Sequence, residues 1–459
     1  MTTCHCQRQF GSEEALMQHQ AAKHGVQPES AAPPSPSPPR AQQEPKAPTQ
    51  TTPASSTKAS NSTKRRASEY RRLMDGLVIQ QPVVTIDVVA LQPSKTAVSS
   101  KTPSELVCSY NWQRAGGFRV PGHAAVWQDV VLPVKLPSDT NNPDVPKITP
   151  RPHSKVQTPF QQVLDATRLM SPDFRFDSVD IVTTRNSLRK FLDLCGGRSL
   201  QTFRVNISLV KDTLFIEQHT VRCMSHQGTG WGYGFERKFT RYPPGLEAST
   251  AYDRFLRYPI GEMNCVVGFE VDACYEEKRD MDNSNQDPVM DLQAGMAQVS
   301  LIPNGTTPDP PGPLGGAKIM AQSTVAELKS AIAGRFKTSL AWHFPLAQLW
   351  FGRTPWLIQG LHIDGTFGET RVTNVEGRFE QWEAQHQEEL RKLAGLLVQL
   401  RESVRGSGGQ RCAAVYEKEK KGPHVLKVYR LSKQGAVVSD EVLGRFWGEE
   451  QSGHEDEVG

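Results

Sequence analysis

The chain has 459 residues, a formal net charge of +4 and 37% apolar residues, with a mean hydropathy of −0.50. No apolar run is long enough to span a bilayer, so no membrane partner is expected. Eight scattered cysteines argue for a reducing compartment rather than a disulfide framework, and the small positive charge permits a polyanionic partner without requiring one.

The N-terminus, Met1-Thr2-Thr3-Cys4-His5-Cys6, is polar and does not read as a signal peptide, which predicts a protein that is not secreted. Cys4, Cys6, Phe10, Leu16, His19 and His24 fall in the order of a two-Cys-two-His zinc finger. Phe10 and Leu16 would form its small core, and Cys4, Cys6, His19 and His24 would hold a zinc ion. The first pair is Cys-x-Cys, shorter than the usual spacing; the alternative is a disordered leader with chance cysteines. A finger this small needs its metal to fold. One finger reads only about three base pairs, so residues 1–26 predict an accessory contact with DNA or protein.

Residues 27–103 are expected to be a disordered linker. The stretch to about residue 68 is rich in Pro, Ser, Thr and Gln and too poor in aliphatic residues to offset chain entropy. Lys64-Arg65-Arg66 and Arg71-Arg72 end that stretch. They read either as a nuclear localisation signal, predicting nuclear residence with the cytoplasm as the alternative, or as a solvated basic linker.

From residue 104 to about 450, aromatic and β-branched residues recur regularly. Val179 to Leu192 reads as a strand or turn entering a helix, with Arg185 at the junction, where a guanidinium could grip a phosphate. Phe203 to Leu209 alternates as a strand, and Leu214 to Glu217 returns beside it. Gly232-Tyr233-Gly234-Phe235-Glu236 reads as a glycine-aromatic turn ending in a carboxylate. Glu270-Val271-Asp272 closes the apolar run from Cys265 to Phe269; on a strand, Glu270 and Asp272 would share a face. Residues 280–320 are polar and Pro/Gly-rich and predict an insertion loop. In Glu327-Leu328-Lys329 the strand reading puts Glu327 and Lys329 on one face, while Thr324 and Glu327 also fit a helix capping box. Gln348 to Pro355 follows, then a strand from Leu357 to His362. Residues 377–404 carry an apolar stripe at helical spacing, which predicts a core helix and gives His386 no ligand role. Val415-Tyr416 and Val425 to Tyr429 predict a closing hairpin, and Asp440 to Trp447 a last short helix. Residues 451–459 form an acidic tail. The fold class is α+β (mixed α/β). Carboxylates on neighbouring strands with a lysine among them suit a hard cation that binds phosphate.

In this order the motifs resemble the decapping exoribonuclease family, the DXO-type RNA 5′-end hydrolases with a PD-(D/E)XK nuclease-like fold. The resemblance rests on Arg185 after Val182-Thr183-Thr184, Glu236 in Gly-Tyr-Gly-Phe-Glu, Glu270 and Asp272, Glu327 and Lys329, and Gln348 ahead of Pro355. It spans about residues 105–450, and the chain is also similar to a filamentous-fungal group that shares this core behind a Cys-x-Cys finger. The resemblance implies that Glu236, Glu270, Asp272 and Glu327, with the Leu328 carbonyl, hold one or two magnesium or manganese ions. It implies catalytic roles for Glu327, Lys329, Gln348 and Asp272, with Lys329 and Gln348 positioning the attacking water or the scissile phosphate. Arg185 and Gln348 would bind the substrate, an RNA 5′ end, and a partner exonuclease is a further expectation. It also favours the strand over the capping box at Glu327. The segment between Asp272 and Glu327 is longer than in the family, and Thr184 stands where the family often has tryptophan.

The expected function is therefore metal-dependent hydrolysis at RNA 5′ ends, by decapping, pyrophosphohydrolysis or 5′–3′ exonucleolysis. The alternatives are a catalytically inactive nuclease-fold module that binds RNA or protein, and a zinc-finger DNA-binding regulator. A prenyltransferase-type diphosphate enzyme fits poorly, because the chain has no Asp-Asp pair and clear strand patterning.

Overall fold

The computed structural model describes residues 2–3, 9–10, 61–140, 160–199, 201–219, 230–277, 299–301, 319–334, 340–409, 411–418 and 424–448. The chain divides into two units, Met1–Ala59 and Ser60–Gly459. In the first, Thr2–Thr3 pairs antiparallel with Gln9–Phe10. The four expected zinc ligands, the linker up to residue 60, the tail from residue 449 and most of the 280–320 segment lie outside the described residues.

The second unit is built on two sheets. Among the described residues one has eleven strands and the other seven. In the larger sheet the Ile181–Thr184 strand lies parallel to both neighbours, Met263–Glu270 and Thr213–Gln218. The Phe203–Val210 and Thr213–Gln218 strands form the expected hairpin, Thr213 paired with Val210. Cys412–Tyr416 and Val425–Arg430 form the other. In the smaller sheet Val325–Ile332 runs parallel to Trp356–Ile363, with Glu327 opposite Leu357 and Lys329 opposite Gln359. This bears out the strand at Glu327. Thr324 ends a short 3-10 turn, Gln322–Thr324, rather than capping a helix.

The long helix Phe379–Gly406 buries Trp382, Leu390, Leu393, Leu397, Leu400 and Val404. They share one core with Leu188, Phe191 and Leu192 of the Arg185–Cys195 helix. Burying side chains of this size contributes roughly 1.5–3 kcal/mol each, so this core fixes where the Arg185 helix sits. His386 stacks on Trp382 at a centroid distance of 4.7 Å, as a packing residue. The last helix is Asp440–Trp447.

Three local expectations differ from the structure. The ordered unit begins well before residue 104: Asn61–Met74 is a helix, and Val84–Asp87 pairs with Val425–Arg430 at the edge of the large sheet. Ile86, Val88, Leu91 and Val98 are buried in the main core, so a sparse set of aliphatic residues inserted at the right places outweighs the polar average. The glycine-aromatic segment is a helix, Gly232–Phe239. Finally, the large-sheet strand ends at Glu270, and the small sheet resumes at Ala273–Cys274. Glu270 and Asp272 therefore flank a crossing between sheets rather than sharing one strand face. Within the 280–320 segment, Val299–Leu301 pairs with Phe118–Val120.

Candidate carboxylate–lysine site

That crossing between the sheets gathers the expected residues. The chain leaves the large sheet at Glu270, turns through Val271 and Asp272, and enters the small sheet beside Val325–Ile332, where Ala273 pairs with Ala326. Asp272 Oδ2 accepts a 2.9 Å hydrogen bond from the Leu328 amide, which ties the crossing to the strand between Glu327 and Lys329. Glu270 is exposed and Glu327 is buried.

Arg185 comes from the large sheet. The Ile181–Thr184 strand gives way to a helix at Thr184, whose hydroxyl accepts from the Ser187 amide at 3.3 Å and caps it. Arg185 is the first helical residue. Its guanidinium donates to Glu327 Oε2 at 3.1 Å and to the Glu270 carbonyl at 3.2 Å, and lies 5.4 Å from the Phe269 ring centroid. Gly352 leaves room for it: a Cβ there would stand 3.3 Å from Arg185 Nη1.

Glu327 is the centre of the arrangement. Its side chain is 3% exposed, against 14% for Asp272 and 42% for Lys329. Lys329 Nζ and Gln348 Nε2 both donate to its Oε1. Gln348 comes from the Leu340–Phe351 helix. Burial alone would raise the Glu327 carboxyl, but the Arg185 and Lys329 charges outweigh it and hold it below the usual carboxylate range. Lys329 Nζ also lies 3.9 Å from Asp272 Oδ2.

The remaining carboxyls are pushed the other way. Burial, then the negative charge of Glu327, raises Asp272 to about 8. Burial, then Asp272, raises Glu236 well above the ordinary value. Glu236 stands on the Gly232–Phe239 helix, whose first amides are capped from outside: Asp139 accepts from Tyr233 N at 3.1 Å and Gly234 N at 2.9 Å. Burial and the Glu270 and Glu236 charges also raise the Tyr242 phenol, which stands beside this cluster.

The structure thus brings Arg185, Asp272, Glu327, Lys329 and Gln348 into direct contact. The Glu270 charge acts on Asp272, and the Asp272 charge acts on Glu236. Among the described residues, no three His, Cys, Asp or Glu side chains already converge as ligands of one ion; the positive charge between Glu327 and Asp272 is the Lys329 ammonium. The donor set still suits a hard divalent cation. It offers carboxylate oxygens in a buried setting whose mutual repulsion a cation would relieve.

Two participants carry no motif. Arg189 Nη1 donates to Gln348 Oε1 at 2.9 Å; the signal was its position four residues after Arg185, one helical turn on. Asp139 had none, because a cap supplied from a distant loop leaves no trace in local spacing.

Residues 81–447 match the family described as a domain of unknown function, DUF8563, and the chain belongs to that family. No curated protein matches it. Among solved structures, Scheffersomyces stipitis Rai1 is 12% identical, with a TM-score of 0.51 over 79% of this chain and 97% of that one. S. pombe Rai1 in complex with 3′-FADP is 11% identical, with a TM-score of 0.49 over 76% and 99%. Candida albicans Rai1 in complex with pU5-Mn2+ is 14% identical, with a TM-score of 0.45 over 77% and 96%. The likeness to the S. stipitis protein shows that this chain shares the fold of Rai1.

Proposed function

We propose that this DUF8563 chain is a divalent-metal-dependent hydrolase of RNA 5′ ends. The observation that carries the reading is the buried Glu327 carboxylate, held ionised by Arg185 and Lys329 beside the crowded carboxyls of Asp272 and Glu236. Glu236, Glu270, Asp272 and Glu327 would hold magnesium or manganese. Such an ion would polarise a phosphoryl oxygen and make a bound water more acidic.

The chain's own groups would do the rest. Lys329, the most exposed of the central trio, would lend its ammonium to the phosphoryl oxygen on which charge develops. Gln348, which donates to the same Glu327 oxygen as Lys329, would hold the scissile phosphate. Arg185, engaged with Glu327 and the Glu270 carbonyl, would keep the acidic wall in place and meet the RNA phosphate from its rim. Cys4, Cys6, His19 and His24 would bind zinc as an accessory contact for nucleic acid or protein, and Lys64-Arg65-Arg66 would direct the chain to the nucleus.

A second reading, an inactive nuclease-fold module that binds RNA, is favoured by one feature: Lys329 already neutralises Glu327 and approaches Asp272. Hydrolysis of 5′-labelled RNA decides between them. Triphosphate, monophosphate and NAD-capped ends are incubated with magnesium or manganese, with Asp272→Ala and Glu327→Ala as controls. Metal-dependent release that both substitutions abolish supports the enzyme. No release, with RNA still retained by folded protein, supports the binding module.

A further inference from the structure

The Arg185–Cys195 helix sends two guanidiniums into the site. Arg185 and Arg189 are one turn apart, so they share a face. Arg185 Nη1 donates to Glu327 Oε2, and Arg189 Nη1 donates to Gln348 Oε1 at 2.9 Å. Gln348 Nε2 then donates to Glu327 Oε1. The four side chains close a circuit whose two fixed points lie on one helix, anchored in the main core by Leu188, Phe191 and Leu192.

The circuit fixes an amide that would otherwise be free to flip. A guanidinium has donors and no acceptor, so the Gln348 atom facing Arg189 must be the carbonyl oxygen. A carboxylate only accepts, so the atom facing Glu327 must be the NH2 group. Both ends agree. Arg189 is also costly where it stands: it is half-buried, and burial together with the Arg185 charge weakens its hold on its proton. A solvated basic face would not keep two like charges together here.

We infer that Arg189 is a positioning residue that locks Gln348 as a hydrogen-bond donor toward the reacting phosphate. This deepens the proposed hydrolase reading and rests on it. With one lone pair of the carbonyl oxygen engaged by Arg189 and one amide proton given to Glu327, Gln348 keeps one amide proton for a phosphoryl oxygen. Gln348 therefore stabilises charge and takes no proton.

The test uses the full chain in two independent arms. In the first, Arg189→Leu lowers kcat on 5′-labelled RNA about tenfold, the size of one lost orienting contact, and moves KM less than about threefold. In a Gln348→Met background the same substitution adds less than about twofold, because its target is gone. Arg189→Lys restores part of the loss, and it carries the cycle if Arg189→Leu does not fold. Additive losses overturn the inference. The second arm needs no activity. In protein labelled with 15N-glutamine, the Gln348 side-chain amide is the signal that vanishes in Gln348→Met. It shifts in Arg189→Leu and Arg189→Lys and stays in place in Asn186→Ala, a substitution one residue from Arg185 on the exposed side of the same helix. An unmoved Gln348 amide in both Arg189 variants overturns the inference. If wild-type protein releases nothing from any RNA end, the hydrolase reading fails while this arm still decides whether Arg189 sets the amide.

Discussion

Gly360 lies directly beneath the ring of Phe235: a Cβ at position 360 would stand 2.3 Å from Phe235 Cε2. Phe235 precedes Glu236 on the Gly232–Phe239 helix, and Gly360 pairs with Ser330 next to Lys329. The missing side chain therefore lets the helix bearing Glu236 settle on the strands bearing Glu327 and Lys329. Phe235 also stacks on Phe367 at 5.1 Å, so the ring has little room to retreat. Gly360→Ala should destabilise the fold by about 1–3 kcal/mol through overpacking and weaken manganese binding. Phe235→Leu in the same chain should return part of both. Thermal unfolding and calorimetric titration with Mn2+ check this; an unchanged melting temperature in Gly360→Ala would show that the helix is not seated on this contact.

The same helix depends on Asp139. Trp231 at its N-cap makes no side-chain capping bond, and Asp139 supplies the acceptors instead. Asp139→Ala leaves those amides without their partner and should cost about 0.5–2 kcal/mol, the range for a lost helix cap. Asp139→Asn, which keeps one acceptor oxygen, should cost less. Equal melting temperatures for wild type and Asp139→Ala, read by circular dichroism, would count against an external cap.

Much of this was legible in the sequence wherever function and local pattern coincide. Phe203 to Val210 and the stripe along Phe379–Gly406 show their periods plainly, and Glu327 and Lys329 obey the two-residue spacing of the strand they occupy. The failures share one physical cause. Asp272 reads as a strand-face residue because nothing local marks where a chain leaves one sheet for another. The segment around Val84–Asp87 shares the polar composition of its flank, although Ile86 and Val88 are buried in the core. Asp139 acts across a large sequence separation, where spacing carries no signal, and the one-turn spacing of Arg189 from Arg185 does not reveal its distant partner Gln348.

Glu217 gives a pH dependence away from the site. Burial raises its carboxyl from 4.5 to about 7, against the opposing charge of Arg411. Between those values the folded chain holds a proton that the unfolded chain has released, so stability falls as pH rises through this window. Glu217→Gln should remove that part of the slope and melt higher than wild type at pH 8, with little difference at pH 4.5. Parallel melting curves across the range for both proteins would be inconsistent with a raised carboxyl at this half-buried position.

Asp272 extends the same reasoning to the metal. Burial and the Glu327 charge put its carboxyl at about 8, against an ordinary 3.8. In metal-free buffer the folded chain keeps a proton that the unfolded chain loses, and stability declines from the ordinary value up to about that pH. A divalent ion held by the cluster reverses the balance, because it favours the ionised carboxylates and binds only the folded chain. At free Mn2+ a hundredfold above its dissociation constant the gain is about 2.7 kcal/mol. Asp272→Asn should therefore cross the wild type: more stable in chelator at pH 8, because the buried charge is gone, and less stable in saturating Mn2+, because a ligand is gone. Melting curves of both proteins with and without Mn2+ test the crossing. If Mn2+ raises the melting temperature of the two proteins equally, the ion binds elsewhere and the carboxylates at the crossing between the sheets do not hold it.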